Sequence, residues 1–458
     1  MQDLGIASAE VGEKETVMAY MSLSFGEFMQ NIWNGMMSGY ALVAYAVVII
    51  ALVAALAVIM MLKDNGTGKT DTASTEATDG KRAERRNRGR GKEEEVNTSG
   101  NRFSTLTAID AESKRYIRDD YDESITLKQF CENFRNFAAY KSKLYYDIQD
   151  IRRFVAGLAV SHIAILQGMS GTGKTSLAYA FGEFLDNKST VIAVQPMWKE
   201  RTDLLGYYNE FTKRFNETEL LQVMYKANYS KDMYVTVLDE MNIARVEYYF
   251  AEFLSKLEIP DIHDRYLDVV SDVWAQDPKL FKDGRILLPD NMWFIGTANN
   301  DDSTFAISDK VYDRAMIMNL DSKAEPFTAP KVNKVHLSAE RFKALSESAQ
   351  REYRMTKRNA HRLSELDRYM IKTFHTTFGN RIMKQIKTYI PVYVSCGGDE
   401  LEALDDILAK KVLRKLEMQN PVYVKKEADG FITYLDTLFG VDNMPLCKDF
   451  MKRICNNA

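Results

Sequence analysis

One glycine-rich stretch constrains the fold of this 458-residue chain more than any other. It fits the pattern G-x-x-x-x-G-K-[ST] of a phosphate-binding loop and runs Gly168-Met169-Ser170-Gly171-Thr172-Gly173-Lys174-Thr175. The apolar run from His162 to Gln167 predicts a β-strand before it, and apolar residues at helical spacing predict a helix from Ser176 to Leu185. A strand, a glycine-rich turn and a helix N-terminus together predict a site for a nucleotide's phosphates.

The residues of this stretch have distinct expected roles. Backbone N–H groups would surround the phosphates, and the residues expected to contact the nucleotide are Gly168, Met169, Ser170, Gly171, Thr172, Gly173, Lys174, Thr175 and Ser176. Lys174 would reach the β- and γ-phosphates, while the Thr175 hydroxyl would bind Mg²⁺. A chance glycine-rich turn is the alternative, which the flanking strand and helix disfavour. Residues 65–70 repeat the core letters without the first glycine or a preceding strand, and we assign them to a linker.

Length and composition indicate a folded protein with two or three domains. Hydrophobic residues make up 46% of the chain and charged residues 27%, which argues against global disorder. The formal net charge of −4 gives no general reason to expect a nucleic-acid-binding protein. The four cysteines lack C-x-x-C spacing, so the sequence predicts neither a zinc site nor disulfides and favours a reducing compartment.

An uncharged apolar run predicts a membrane anchor. Tyr40–Leu62 would be about 35 Å long as a helix, against about 30 Å for a hydrocarbon core. A buried core helix and a cleaved signal peptide are the alternatives, and the length of the run and the lack of a basic region before it disfavour them. Cations are scarce before the run and abundant after it. The positive-inside rule therefore places the amino terminus outside and the rest in the cytoplasm of a single-pass cell-membrane protein.

Residues 63–101 are predicted to form a disordered tether, because they are rich in small polar and charged residues and nearly free of large apolar ones. The basic cluster in this tether has three interpretations: a topology signal, contact with anionic lipid, or contact with nucleic acid. Proximity to the predicted span favours the first two.

A second chemical motif is the predicted strand Tyr234–Asp239 together with Glu240. Asp239 would hold Mg²⁺, usually through a water ligand, and Glu240 would orient and polarise the attacking water. Phosphoryl transfer mainly requires positioning and charge neutralisation, so these few groups nearly suffice. An Asp-Glu pair alone also fits a solvated strand end, but its place downstream of the glycine-rich stretch favours the catalytic interpretation.

Two further polar residues flank predicted strands. The strand Met292–Thr297 leads to Asn299, whose amide could hydrogen-bond the γ-phosphate or the attacking water; a simple turn is the alternative. Arg314 stands just before the strand Ala315–Leu320. It is either a solvated strand flank or, in an oligomer, a group that reaches a neighbour's γ-phosphate.

The remaining segments predict mostly helices. Aromatic residues at helical spacing from about Ile125 predict a helical lead-in, and Thr190–Gln195 predicts a second buried strand. Residues 321–360 are predicted to form a loop and helix insertion, and a further helix opens near Arg381. The apolar face of the next predicted helix consists of Leu401, Leu404, Leu408, Val412 and Leu416. Residues 421–458 predict one or two more helices.

The order of these motifs resembles that of AAA+ ATPases. The stretch Leu238–Phe250 (LDEMNIARVEYYF) is similar to the subgroup that contains McrB, MoxR, midasin and dynein modules, and most similar to its McrB-like branch. The likeness covers roughly residues 126–420. The sequence departs from McrB in having no recognisable DNA-reading domain at the amino terminus.

The resemblance implies roles for several residues: Gly168–Thr175 as Walker A, Asp239 and Glu240 as Walker B, Asn299 as sensor 1, Arg314 as an arginine finger, and Arg381 as a sensor 2 arginine. Arg381 would contact the γ-phosphate from the lid of the same subunit, and a solvated helix arginine is the alternative. The resemblance also implies a ring, commonly of six subunits, with a nucleotide at each interface. ATP with Mg²⁺ is the expected ligand from its frequency in the family, and GTP is the alternative because McrB uses GTP.

The predicted fold class is α/β: an AAA+ P-loop NTPase core, with helices on both faces of a parallel sheet, followed by a helical lid and preceded by one transmembrane helix. The predicted parts are an extracytoplasmic segment (1–39), the transmembrane helix (40–62), the basic tether (63–101), the nucleotide-binding domain with its lead-in (102–324), and the insertion with the lid (325–458).

Three functions fit these expectations. The leading hypothesis is a membrane-tethered AAA+ ATPase that assembles with copies of itself and hydrolyses ATP to remodel an unidentified protein partner. The second is a nucleotide-gated scaffold that binds ATP and assembles but barely turns over. The third is an McrB-like nucleic-acid motor of a defence system.

Overall fold

The computed structural model describes residues 100–299, 304–320 and 324–456. The predicted segment 1–39, the predicted membrane span and the predicted tether up to residue 99 lie outside these residues and stay predictions. In the part of the chain that the structure describes, no helix is both long enough and apolar enough to cross a bilayer. Asn101 Oδ1 accepts a hydrogen bond from Phe103 N at 2.9 Å, so Asn101 belongs to the folded part rather than to the tether.

A parallel sheet of five strands forms the centre of the fold. Its strands are β1 (Ile163–Gln167), β2 (Thr190–Ala193), β5 (Tyr234–Asp239), β8 (Met292–Ala298) and β9 (Met316–Asn319). They lie in the order β2-β5-β8-β1-β9, and every neighbouring pair is parallel. The carboxyl ends of all five strands therefore meet at one edge, which is where ligands bind in open sheets of this kind.

Two short antiparallel hairpins stand apart from this sheet. They are β3 (Tyr208–Asn209) with β4 (Arg214–Phe215), and β6 (Tyr266–Asp268) with β7 (Arg285–Leu287). The helices that accompany the strands are α1 (Ser104–Ala111), α2 (Leu127–Ser142), α3 (Ile148–Val160), α4 (Lys174–Phe184), α5 (Thr202–Leu205), α6 (Glu219–Ala227), α7 (Val246–Tyr249), α8 (Ala251–Lys256) and α9 (Asp309–Tyr312).

The sheet separates two apolar cores, because successive side chains of a strand point to opposite faces. In β1, Ala164 and Leu166 contribute to one core while Ile163 and Ile165 contribute to the other. The first core takes its helical side chains from α2, α3 and α4 and continues into the carboxy-terminal helices. The second core takes them from α1 and from α5 to α9. Helices on both faces of a parallel sheet confirm the predicted α/β architecture.

The lead-in helices pack through aromatic side chains. Helix α2 begins with a capping box between Thr126 and Gln129 and buries Phe130, Phe134 and Phe137, as the helical spacing predicts. Phe134 lies 5.1 Å, centroid to centroid, from Phe181 of α4, in an edge-to-face arrangement. This cluster therefore joins the lead-in to the helix that begins at the glycine-rich loop.

The strand predicted over Thr190–Gln195 is present as β2 (Thr190–Ala193), but the expectation that it is buried was wrong. Strand β2 pairs only with β5 among the described strands and lies at the sheet edge. Val191 and Ala193 are exposed, and Thr190 and Ile192 are only half-buried. An apolar run of four residues fits an edge strand and a central strand equally well, and the pairing partners that distinguish them come from distant parts of the chain.

The carboxy-terminal region is helical, as predicted. Its helices are α10 (Ala339–Glu352), α11 (Lys357–Phe374), α12 (Gly379–Ser395), α13 (Glu400–Ile407), α14 (Pro421–Phe439) and α15 (Pro445–Asn456). The predicted apolar helix over 401–416 is not one α-helix. After α13 the chain forms a π-helical turn, Leu408–Val412, and a 3₁₀ segment, Leu413–Met418. The helical pitch changes along this segment, but all four of these side chains are buried: Leu404, Leu408, Val412 and Leu416.

The aromatic cluster gives a prediction about stability. Replacing Phe181 with alanine should lower the free energy of unfolding by about 3–5 kcal/mol, because it leaves a cavity among three other rings. Urea denaturation of the purified protein measures this change. Tyr179→Ala on the same helix is the matched control, since Tyr179 is 41% exposed and its replacement should change the free energy by about 0.5 kcal/mol or less. Equal losses in both variants would contradict the assignment of this core.

Candidate functional site

The glycine-rich stretch forms a loop between the carboxyl end of β1 and the start of α4. Its backbone is left-handed at Gly171 (φ 78°) and at Gly173 (φ 94°), a conformation that residues with a Cβ rarely adopt. Gly173 directly precedes the first turn of α4. The N–H groups of that turn lack intrahelical partners, so the loop offers an anion both donors and the positive end of the helix dipole.

Lys174 lies within this loop and is buried. Its Nζ donates hydrogen bonds to the carbonyl oxygens of Gly168 (3.0 Å) and Met169 (2.7 Å). These bonds keep the ammonium against the backbone of the loop, where it adds a full positive charge to the donors of the helix N-terminus. The position suits a cation that binds phosphate.

The structure brings the loop and the Asp-Glu strand together. Thr175 Oγ1 donates a hydrogen bond to Asp239 Oδ1 at 2.7 Å. The contact follows from the topology, because β1 and β5 both pair with β8 and all three strands end at the same edge of the sheet. The two residues predicted to act on Mg²⁺ therefore share one site.

Thr297 connects the two acidic residues, and the sequence interpretation missed it. Its Oγ1 donates to Asp239 Oδ1 at 2.8 Å and accepts from the backbone N–H of Glu240 at 2.8 Å. Thr297 is fully buried in β8, whose other residues have no side-chain hydrogen-bonding group except the indole of Trp293. A lone hydroxyl in a buried apolar strand is the sequence signal that points to it, since such a group needs a partner.

Glu240 itself has an uncommon backbone. It adopts a left-handed conformation (φ 51°, ψ 48°), which is rare for a residue with a side chain. Such conformations persist where surrounding contacts fix them, and they cluster at functional sites. Here the N–H is fixed by Thr297 and the carbonyl oxygen accepts from Ile243 N at 2.9 Å. The chain therefore turns sharply and in a defined way directly after Asp239.

Asn299 lies at the same edge of the sheet. It follows Ala298, which pairs with Gln167 of β1, so Asn299 is level with the start of the glycine-rich loop. Its carbonyl oxygen accepts from Asn242 Nδ2 at 2.9 Å, and the same nitrogen also donates to the carbonyl oxygen of Phe305 at 3.3 Å. Asn242, to which the sequence analysis gave no role, therefore fixes the chain on either side of residues 300–303.

The lead-in also contacts the loop. The hydroxyl of Tyr146, in the connection between α2 and α3, donates to the carbonyl oxygen of Gly173 at 3.0 Å. Burial raises the pKa of the Tyr146 phenol, so it stays a protonated donor at neutral pH. No pattern in the sequence distinguishes this tyrosine from its neighbours, and only the fold brings it to the loop.

The oxygens around Asp239 fit a Mg²⁺ ion by their chemistry. Asp239 Oδ1 and Thr175 Oγ1 are hard oxygen donors 2.7 Å apart, which is the type of ligand that Mg²⁺ prefers. Such ions are commonly held by one or two protein oxygens, with waters and phosphate oxygens completing the octahedron. Among the described residues, no group of three or more His, Cys, Asp or Glu side chains could hold a metal alone.

Arg314 lies near the amino ends of the parallel strands, whereas the glycine-rich loop lies at their carboxyl ends. It precedes β9, and its carbonyl oxygen accepts from Ser161 Oγ, just before β1, at 2.7 Å. The length of β1, about 16 Å for a five-residue strand, separates this end from the loop. The Arg314 guanidinium pairs with Glu258 at 2.8 Å. The structure therefore does not join Arg314 to the cluster of Lys174 and Asp239 within one subunit.

The structure places Arg381 beside Arg314 and not beside the loop of its own subunit. Its guanidinium lies 2.5 Å from Glu258 and 4.0 Å from Asp313, while Glu258 also binds Arg314. Arg381 lies in the first turn of α12, and the carboxylates of Glu258 and Asp313 hold its side chain in this position. The contact of Arg381 with a phosphate stays a prediction, and in this structure its guanidinium binds carboxylates instead.

The hydrogen bonds of Thr297 lead to a prediction about the stability of the protein. Thr297→Val should lower the free energy of unfolding by about 1–3 kcal/mol, because it leaves the Glu240 N–H and the Asp239 carboxylate each short of a partner. Thr236→Val is a matched control on the adjacent strand, since Thr236 is equally buried and its Oγ1 has no hydrogen-bond partner in the structure. That variant should be unchanged or slightly more stable. Chemical denaturation compares the two, and equal effects would contradict the role of Thr297.

Comparisons with family models agree with this geometry. Residues 163–315 match the model described as AAA domain (dynein-related subfamily). Residues 331–455 match a second model, described as Domain of unknown function (DUF8727). The comparison with curated proteins found no match.

Two solved structures are distantly similar. A candidate ATPase from Cytophaga hutchinsonii has 13% identity and a TM-score of 0.44, with 72% of this chain and 97% of that chain covered. A full-length MCM homologue from Methanopyrus kandleri has 11% identity and a TM-score of 0.35, with 62% of this chain and 60% of that chain covered.

The domain match and the loop, strand order and acidic residues described above lead to one conclusion. Residues 163–315 form an AAA domain with the AAA+ P-loop fold, similar to the dynein-related subfamily, and a helical region follows it.

Proposed function

We propose that this protein binds ATP with Mg²⁺ at the glycine-rich loop and hydrolyses it. The observation that carries the proposal is the hydrogen-bonded chain from Thr175 through Asp239 and Thr297 to Glu240, which joins the loop to the acidic strand end. The match of residues 163–315 to an AAA domain supports a nucleotide as the ligand. The choice of ATP rests on its frequency among AAA+ proteins, and GTP is the alternative.

Each group would have a defined task in hydrolysis. The N–H groups of the loop and Lys174 Nζ would hold the β- and γ-phosphates. Mg²⁺, held by Thr175 and by Asp239 through water, would neutralise charge on these phosphates. The Glu240 carboxylate would accept a proton from water as the water oxygen bonds to the γ-phosphorus. The bond from the γ-phosphorus to the β–γ bridging oxygen breaks, and ADP leaves with that oxygen. Asn299 would hydrogen-bond the γ-phosphate or the water.

The proposal includes a ring of identical subunits, commonly six in this family. Arg314 lies a full strand length from its own loop, so in hydrolysis it would act on a neighbour's γ-phosphate. A head-to-tail interface would place the amino edge of one sheet against the carboxyl edge of the next. Arg381 shares Glu258 with Arg314, so we extend the same role to it. A neighbour's γ-phosphate would compete with Glu258 for both guanidinium groups.

We further propose that the ATPase is tethered to the cell membrane and remodels a protein partner on the cytoplasmic side. The tether rests on the charge-free run Tyr40–Leu62 and on the cations that follow it. The McrB-like signature within Leu238–Phe250 keeps a nucleic-acid motor as the second candidate. Hydrolysis that DNA or RNA stimulates, with a steep loss as salt rises, would favour that candidate. Nucleotide-dependent assembly with negligible phosphate release would favour the scaffold.

Glu240→Gln should abolish turnover and preserve binding. Removing the proton acceptor should lower kcat on the order of 10²- to 10⁴-fold, while the dissociation constant for ATP stays close to that of the unmodified protein. Phosphate release and equilibrium nucleotide binding measure the two quantities. Glu219→Gln, at an exposed position in the first turn of α6, is the control and should leave both unchanged. Unaltered phosphate release by Glu240→Gln would sink the proposed mechanism.

Arg314→Ala should be inactive alone and active in mixed rings. In a ring that also contains Glu240→Gln subunits, an Arg314→Ala subunit keeps an intact loop and receives an unmodified arginine from its neighbour. Mixing the two inactive proteins should therefore restore a measurable part of the ATPase rate. If no ratio of the two proteins restores hydrolysis, Arg314 does not act across subunits.

A further inference from the structure

The turn that carries Arg314, residues 312–315, is bound by side chains from the carboxy-terminal region. Lys411 Nζ donates to the carbonyl oxygens of Tyr312 (2.6 Å) and Ala315, with Asp313 O at 3.4 Å. Gln385 Nε2 from α12 donates to the carbonyl oxygen of Asp313 at 3.1 Å. Backbone acceptors on both sides of Arg314 are thus held from outside the AAA domain.

A buried lysine is a costly way to fill this position. Lys411 is 5% exposed, and burial lowers its pKa to about 7. An apolar side chain of similar volume would avoid the cost of removing an ammonium from water. What lysine adds is up to three N–H donors on one nitrogen, which an apolar residue cannot supply. A lysine at this position therefore fits a role in fixing the geometry of the turn better than a role in stabilising the fold alone.

The local helix geometry also supports a positioning role for Lys411. Lys411 lies in the π-helical turn Leu408–Val412, where the regular hydrogen-bond pattern of α13 is broken. Single π turns are uncommon and occur frequently at functional sites. Arg414, just after this turn, places its guanidinium over the Tyr312 ring, 3.3 Å from the centroid. Two successive segments of the carboxy-terminal region therefore contact residues 312–315, Lys411 through backbone carbonyl oxygens and Arg414 through the Tyr312 ring.

We propose that Lys411 is a positioning residue for Arg314, and that through it the carboxy-terminal region sets the rate of hydrolysis at the neighbouring subunit's nucleotide. This inference rests on the proposed function, because it requires Arg314 to act across a subunit interface. Movement of the carboxy-terminal helices would shift residues 312–315, and a displacement of about 1 Å at a catalytic group can cost on the order of 10²-fold in rate. The region that matches the domain of unknown function, residues 331–455, would then be the element that senses the partner.

The test is a mixing experiment with Lys411→Met in the full-length protein. Alone, this variant should show a kcat lower by about 10- to 100-fold with little change in KM, since its own loop and acidic residues are intact. Mixed with Glu240→Gln, it should regain activity, because an unmodified neighbour then supplies Arg314. Lys415→Met is the matched control; Lys415 donates to Thr377 O, away from the turn, and its loss should leave kcat unchanged.

The outcomes separate this inference from the proposed function. If Arg314→Ala is restored by Glu240→Gln but Lys411→Met is not, Lys411 supports its own site and the inference is wrong. If neither is restored, the cross-subunit role of Arg314 fails, and the inference fails with it. Unchanged kcat in Lys411→Met would also overturn it. Should that variant fold poorly, Gln385→Leu removes a single bond to Asp313 O and must show the same deficit and the same restoration on mixing.

Discussion

The carboxylate of Asp239 is the point on which the rest of the site depends. One of its oxygens accepts hydrogen bonds from Thr175 and from Thr297, and Thr297 in turn holds the N–H of Glu240. Hydrogen bonds to a charged group contribute about 1.5–3 kcal/mol each, roughly twice a neutral bond. The glycine-rich loop, the Asp-Glu turn and the strand between them are thereby fixed relative to one another. Such preorganisation is what phosphoryl transfer requires, because the reaction needs positioned charges more than covalent chemistry.

The parallel sheet separates this site from the arginines. Loop and carboxylates lie at the carboxyl edge, while Arg314 and Arg381 meet on Glu258 near the amino end of β9. The length of β1, about 16 Å, separates the Arg314 turn from the glycine-rich loop. In the proposed ring, each subunit would carry two halves of a reaction centre that face different ways, which suits head-to-tail assembly.

The carboxy-terminal helices are more than a cover for the core. They share the first apolar core with α2, α3 and α4, and they also bind the backbone next to Arg314 through Lys411 and Gln385. One continuous packed layer therefore runs from the nucleotide loop to the Arg314 turn. Close-packed interiors transmit displacement, so this layer offers a physical route between the glycine-rich loop and the turn that carries Arg314.

Sequence alone determined the α/β class, the loop, the acidic strand end and the strands that bear them, because glycine-rich turns and apolar runs are local signals. It left open which strands are central, so β2 was expected to be buried, and its interpretation missed Thr297, Asn242 and Tyr146. Their roles come from partners far away in the chain. Only the tertiary structure decided that Arg381 and Arg314 share Glu258 and that Lys411 binds the turn that carries Arg314. Long-range electrostatic pairing leaves no periodic trace in a sequence.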